Sequence, residues 1–138
     1  MSRFQLLLSL FGSIAFSGCG YSTDNNTPQQ PIDNGPLPAN GVSIVAGASS
    51  KGSSAYSPSP ITVSLASGGV VKWFNNDGSS SVYGTTGVTH DVTADDNSFT
   101  SGNLPPGSAF QQTFSTAGEF HYHCNIHPGM TGVVIVTP

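Results

Sequence analysis

The chain has 138 residues and a formal net charge of −4, with only 7% of its residues charged. So few cations exclude the basic face that grips nucleic acid. Its 17 Gly and 10 Pro are too many for a helical bundle, and its two distant cysteines exclude a disulfide-dense mini-fold and a four-cysteine zinc module.

In chain order, the first segment reads as an export signal. Arg3 is a minimal positive start, and residues 4–16 form an uncharged, mostly apolar run too short to span a bilayer. Ser17 and Gly18 then precede Cys19. The arrangement resembles a bacterial lipoprotein signal, which implies a signal peptide over residues 1–18 and lipidation of Cys19. Lipid there would anchor the protein, since several acyl chains together hold a membrane where one does not. Residues 20–40 hold four prolines, few apolar side chains and no Lys or Arg. They read as a disordered, Pro-rich tether over 19–40 that could hold the domain several tens of ångströms from a membrane, at about 3 Å per extended residue.

Residues 41–138 are large enough for a single core. Val42, Ile44 and Ala46 alternate with smaller neighbours, as do Ile61, Val63 and Leu65. Residues 70–74 form an apolar run around Lys72, and residues 77–89 read as a Gly/Ser/Thr-rich surface loop. Val88, His90 and Val92 share one face of a predicted strand, Phe110 and Phe114 one of another, and residues 119–124 and 132–137 complete the set. Turn residues separate these runs, at 57–60, 67–69, 75–78, 105–107 and 116–118. No segment carries a long helical period. The expected fold is an all-β Greek-key β-sandwich of about seven or eight strands.

The chemistry gathers in residues 119–130, E-F-H-Y-H-C-N-I-H-P-G-M. Cys124, His127 and Met130 place a thiolate, an imidazole and a thioether within seven residues, a soft donor set that suits copper. Pro128 and Gly129 make the loop tight. Strand alternation turns Phe120, Tyr122 and Cys124 inward and His121 and His123 toward solvent. Of the four histidines in the chain, His90 is then left as the fourth ligand, on an inward face where a buried imidazole needs a partner.

A C-x2-H-x2-M loop after a strand, with an upstream histidine, resembles the type 1 (blue) copper proteins, the cupredoxins. Within them the amicyanin, plastocyanin and pseudoazurin group is most similar. V-K-W-F-N-N-D at 71–77, L-P-P-G at 104–107 and G-E-F at 118–120 extend the likeness across 41–138. The resemblance implies one type 1 copper per chain, with His90, Cys124 and His127 in a trigonal plane and Met130 as a long axial ligand. It also implies that the residue after the first histidine, here Asp91, hydrogen-bonds across to the copper loop. Asn75 and Asn76 are further candidates for that link.

The expected function is single-electron transfer by Cu(II)/Cu(I) cycling. The partners would be a donor and an acceptor redox protein, and the chain a monomer in the periplasm or cell envelope. In the family electrons leave through the C-terminal histidine, here His127, and the uncharged Pro128 and Gly129 suit a brief encounter. The alternative is a non-redox module for copper sequestration or delivery, which the single methionine of the domain disfavours. Enzymatic activity is not expected: further copper centres need more histidines, and no catalytic triad or paired carboxylates are present.

Overall fold

The computed structural model describes residues 30–31, 36–81 and 84–138. The signal segment and Cys19 lie outside the described residues. The strands in chain order are β1 (Gln30–Pro31), β2 (Gly41–Ile44), β3 (Tyr56–Ser57), β4 (Ile61–Ser64), β5 (Val70–Asn75), β6 (Gly78–Ser81), β7 (Gly84–Gly87), β8 (Thr93–Ala94), β9 (Ala109–Thr113), β10 (Gly118–His123) and β11 (Thr131–Thr137). No α-helix occurs among the described residues; three short 3-10 turns start at Ala48, Gly52 and Leu65.

Two four-stranded sheets form the sandwich, one ordered β4-β11-β10-β8 and the other β3-β2-β5-β9. Each contains one parallel pair, β11 with β4 and β2 with β5, while the other neighbours run antiparallel. The chain therefore crosses repeatedly from sheet to sheet instead of meandering within one. This is the expected all-β sandwich, and its eight strands fall within the expected number.

The alternation that marks these strands in the sequence is the alternation that buries them. In β5, Val71, Trp73 and Asn75 face inward; in β11, Val134 and Val136 do. Trp73 lies at the centre, with the Tyr122, Phe110 and Phe99 rings 5.4, 5.7 and 6.0 Å away. Such pairs contribute roughly 0.5–1.5 kcal/mol each beyond the area they bury. Tyr122 reaches this position because its cross-strand partner is Gly132: a Cβ there would collide with the phenol ring. These contacts make β10 a rigid rail, and Cys124 is the first residue beyond its end.

Two stretches differ from expectation. Residues 78–81 and 84–87 pair as antiparallel strands, with Gly78 opposite Gly87 and Ser81 opposite Gly84, and β1 pairs along β6. Their glycines, serines and threonines carry no apolar alternation, and β7 is exposed throughout, so no pattern of burial marks them in the sequence. Residues 88–92 are not a strand. His90 makes a single bridge to Leu104, and the ladder begins only at β8. Positions 90–94 are all buried, because the segment enters the end of the sandwich and neither of its faces meets solvent.

Candidate metal centre

Three segments converge at one end of the sandwich. The loop from Cys124 to Met130 is closed by the Cys124 N–H donating to the Met130 carbonyl at 3.1 Å and the Met130 N–H donating to the His127 carbonyl at 3.3 Å. Gly129 sits at φ 92°, in the left-handed region where glycine alone is unstrained. His90 comes from the stretch after β7. Its backbone is fixed by reciprocal bonds with Leu104, N–H to carbonyl at 3.2 and 2.8 Å. The Asn75 amide donates to the carbonyls of Val88 and Leu104, both at 2.8 Å, which ties this stretch to β5.

The structure brings three of the four predicted ligands together. The donor atoms of His90, Cys124 and His127 all lie within 4.8 Å of one another. Cys124 Sγ is 3.8 Å from His127 Nδ1, and the two imidazole centroids are 4.7 Å apart. Met130, which closes the loop, is fully buried. His121 and His123 are turned outward as expected, His121 beside Glu119 and His123 beside Asp95.

The residues fit a soft metal, and one atom carries that test. His90 Nδ1 is completely buried and has no hydrogen-bond partner. An unpaired polar atom in the interior costs about 1–3 kcal/mol, and Nδ1 is the ring atom left free for a metal once Nε2 is engaged. Nε2 is engaged: it lies 2.8 Å from Asp77 Oδ2. The donor set of two imidazoles, one thiol and one thioether is that of a copper electron-transfer site.

Electrostatics prepare both ligand types. Burial pushes the His90 imidazole below its ordinary value, more than the Asp77 carboxylate raises it, so the ring is neutral and able to ligate at neutral pH. Burial also pushes the Cys124 thiol up, and the neighbouring Asp91 carboxylate adds to it. The sulfur is therefore protonated without metal, and metal binding displaces that proton. Burial works against the Asp91 carboxylate, but hydrogen bonds from Cys124, Asn125 and Thr93 outweigh it and hold the group below the usual carboxylate range.

Asp91 makes the expected cross-link. Its carboxylate accepts from the Asn125 N–H at 2.6 Å, the Asn125 amide at 2.7 Å and the Thr93 hydroxyl at 3.0 Å, and its own N–H points at Cys124 Sγ at 3.4 Å. Of the asparagine candidates, Asn75 braces the His90 side and Asn76 donates to Ser43 Oγ at 2.9 Å. The sequence reasoning missed Asp77. An acid in the N-N-D-G turn signals only a turn, and nothing local ties it to a histidine thirteen positions on.

Residues 43–137 match the family of copper-binding proteins that contains plastocyanin and azurin. The chain is 36% identical over 104 residues to the chloroplast plastocyanin of Tetradesmus obliquus, covering 72% of this chain and 70% of that one. Among solved structures it resembles a purple cupredoxin from Nitrosopumilus maritimus, at 26% identity and a TM-score of 0.59, over 70% of this chain and 98% of the other. An amicyanin variant in its Cu(I) form, at 24% identity and a TM-score of 0.52 over 76% of this chain and 85% of that one, shares the fold. The chain belongs to the plastocyanin/azurin family of copper-binding proteins, and His90, Cys124, His127 and Met130 are its type 1 copper site.

Proposed function

We propose that this blue copper electron carrier works outside the cytoplasm, tethered to a membrane through lipid on Cys19, and passes single electrons from one redox protein to another. The observation that carries electron transfer is the convergence of His90, Cys124 and His127, held by separate segments of a rigid sandwich. Copper supplies a one-electron couple at such a site, and its soft and borderline donors are compatible with both oxidation states. The protein's part is to fix the donors beforehand so that little has to move.

The surface around the site favours a brief encounter. His127 is only partly buried, while Asn125, Ile126, Pro128 and Gly129 around it are exposed and uncharged. Ile126 is the one large apolar side chain prominently exposed among the described residues, at 43%. A small apolar contact at this edge gives a partner access to the His127 imidazole without a large, slow-releasing interface. Support for export and tethering comes from the sequence: the apolar run ending at Cys19, then a Pro-rich segment free of Lys and Arg.

The test is the visible spectrum of the copper-loaded protein before and after ascorbate, beside Cys124→Ala. The expected result is an intense band in the wild type that bleaches on reduction and is absent from the variant. Tight binding of Cu(I) or zinc without such a band would overturn electron transfer and favour copper storage or delivery. For the tether, Cys19→Ser should move the protein from the membrane to the soluble fraction of cells; a variant that stays with the membrane refutes lipidation at Cys19.

A further inference from the structure

We propose that Asp77 is a positioning residue of the copper site: its carboxylate fixes the tautomer and orientation of His90 and holds the reduction potential below what a neutral partner would give. The potential half of this inference rests on the electron-carrier reading above; the tautomer half does not.

Asp77 is 6% exposed and is restrained at every polar atom. Its Oδ1 accepts from the Gly47 N–H at 2.6 Å, and its Oδ2 accepts from the Ala48 N–H at 3.1 Å. Its own N–H donates to Asn75 Oδ1 at 2.9 Å, and its carbonyl accepts from the Val88 N–H at 2.9 Å. Oδ2 retains one more lone-pair direction, and His90 Nε2 occupies it at 2.8 Å. A carboxylate offers only acceptor sites, so Nε2 carries the hydrogen and Nδ1 keeps its lone pair. Nδ1 is itself buried and has no hydrogen-bond partner. A single contact therefore selects the tautomer, aims the ring and leaves the ligating atom bare.

The carboxylate also places a negative charge directly behind one ligand in the interior. A hydrogen bond from a ligand imidazole to a carboxylate raises the basicity of that ligand. A more basic ligand with a fixed negative charge behind it favours the more highly charged metal state, which lowers the potential. Water cannot screen this charge as it would on the surface.

The experiment compares the wild type, Asp77→Asn and Asp96→Asn, which removes an exposed carboxylate. In the copper-loaded proteins, Asp77→Asn should raise the reduction potential several-fold more than Asp96→Asn does. Equal shifts, or a downward shift for Asp77→Asn, would show that Asp77 only supports the fold. Asp77→Asn turns an amide NH2 toward one of three donors, so the variant can fail to fold; the wild type alone then decides. A long-range 15N–1H spectrum of the metal-free wild type should show His90 protonated at Nε2 and bare at Nδ1. The opposite or a mixed tautomer overturns the proposal. A wild type that lacks the blue band but shows the Nε2 tautomer would instead sink the electron-carrier reading and the potential half, leaving the tautomer lock intact.

Discussion

His90 and Asp77 meet at 2.8 Å in the interior, and His123 and Asp95 meet at 2.6 Å at the surface. The shorter contact is the less consequential one. His90 is wholly buried, so burial dominates its chemistry and keeps the ring neutral despite the adjacent carboxylate. His123 keeps about a third of its side chain in solvent, and there the Asp95 carboxylate dominates and pushes the imidazole up. The same two functional groups thus give a neutral metal ligand in one place and a titrating surface pair in the other. Environment decides the outcome, and the separation between the groups does not.

The largest expected effect separates the two pairs by stability. Asp77→Ala leaves His90 Nε2 and the N–H groups of Gly47 and Ala48 without their acceptor in the interior. Loss of a buried, charge-assisted contact of this kind costs about 3 kcal/mol. Asp95→Ala removes a screened surface contact and should cost at most about 1 kcal/mol. Urea unfolding of the metal-free proteins measures both. Equal losses would break the comparison, because they would mean that solvent reaches Asp77 as freely as it reaches Asp95.

Asp91 tests the middle ground. It is buried, yet its main partner Asn125 is exposed, so water can replace part of what Asp91→Ala removes. The expected loss is about 1–2 kcal/mol. The copper loop loses its tie to the His90 segment, and copper should pass to a chelator about tenfold faster, the lower end for loss of an outer-shell partner. The absorption band should survive, since the hydrogen bond to Cys124 Sγ comes from the Asp91 backbone. Loss of the band together with the faster release would mean that the carboxylate itself shapes the thiolate site.

The legibility of these features follows their range along the chain. Cys124, His127 and Met130 fall within one loop, so spacing alone reveals them. His90 emerges because the chain has so few histidines and strand parity turns two of them outward. The sandwich is legible where one face is dry and the other wet, as at Val71 and Trp73 or Val134 and Val136. The rule fails where that contrast disappears. The β6–β7 pair carries no apolar alternation, and the buried run over 90–94 offers no wet face. Asp77 was out of reach for a related reason: the β6–β7 pair separates it from His90 in sequence while its Gly78–Gly87 pairing brings them together in space.

The smallest effect concerns His123, and its sign is fixed. The hydrogen bond that His123 donates to the Asp95 carboxylate raises this imidazole above its ordinary value of 6.5. A raised folded value means that the pair's contribution is fully present below the unfolded value and disappears as pH rises through the folded one. Asp95→Asn should bring the His123 titration down toward 6.5, read from its ring protons in the reduced protein. The variant should be slightly less stable than the wild type in mild acid, by less than about 1 kcal/mol in a screened setting, and the two should converge at alkaline pH. An unchanged His123 titration would show that the contact does not persist in solution. His123 precedes Cys124 in the chain, yet strand alternation sends the two side chains to opposite faces. The blue band should therefore stay in place while His123 titrates, and a band that moved with it would couple the two sites that β10 holds apart.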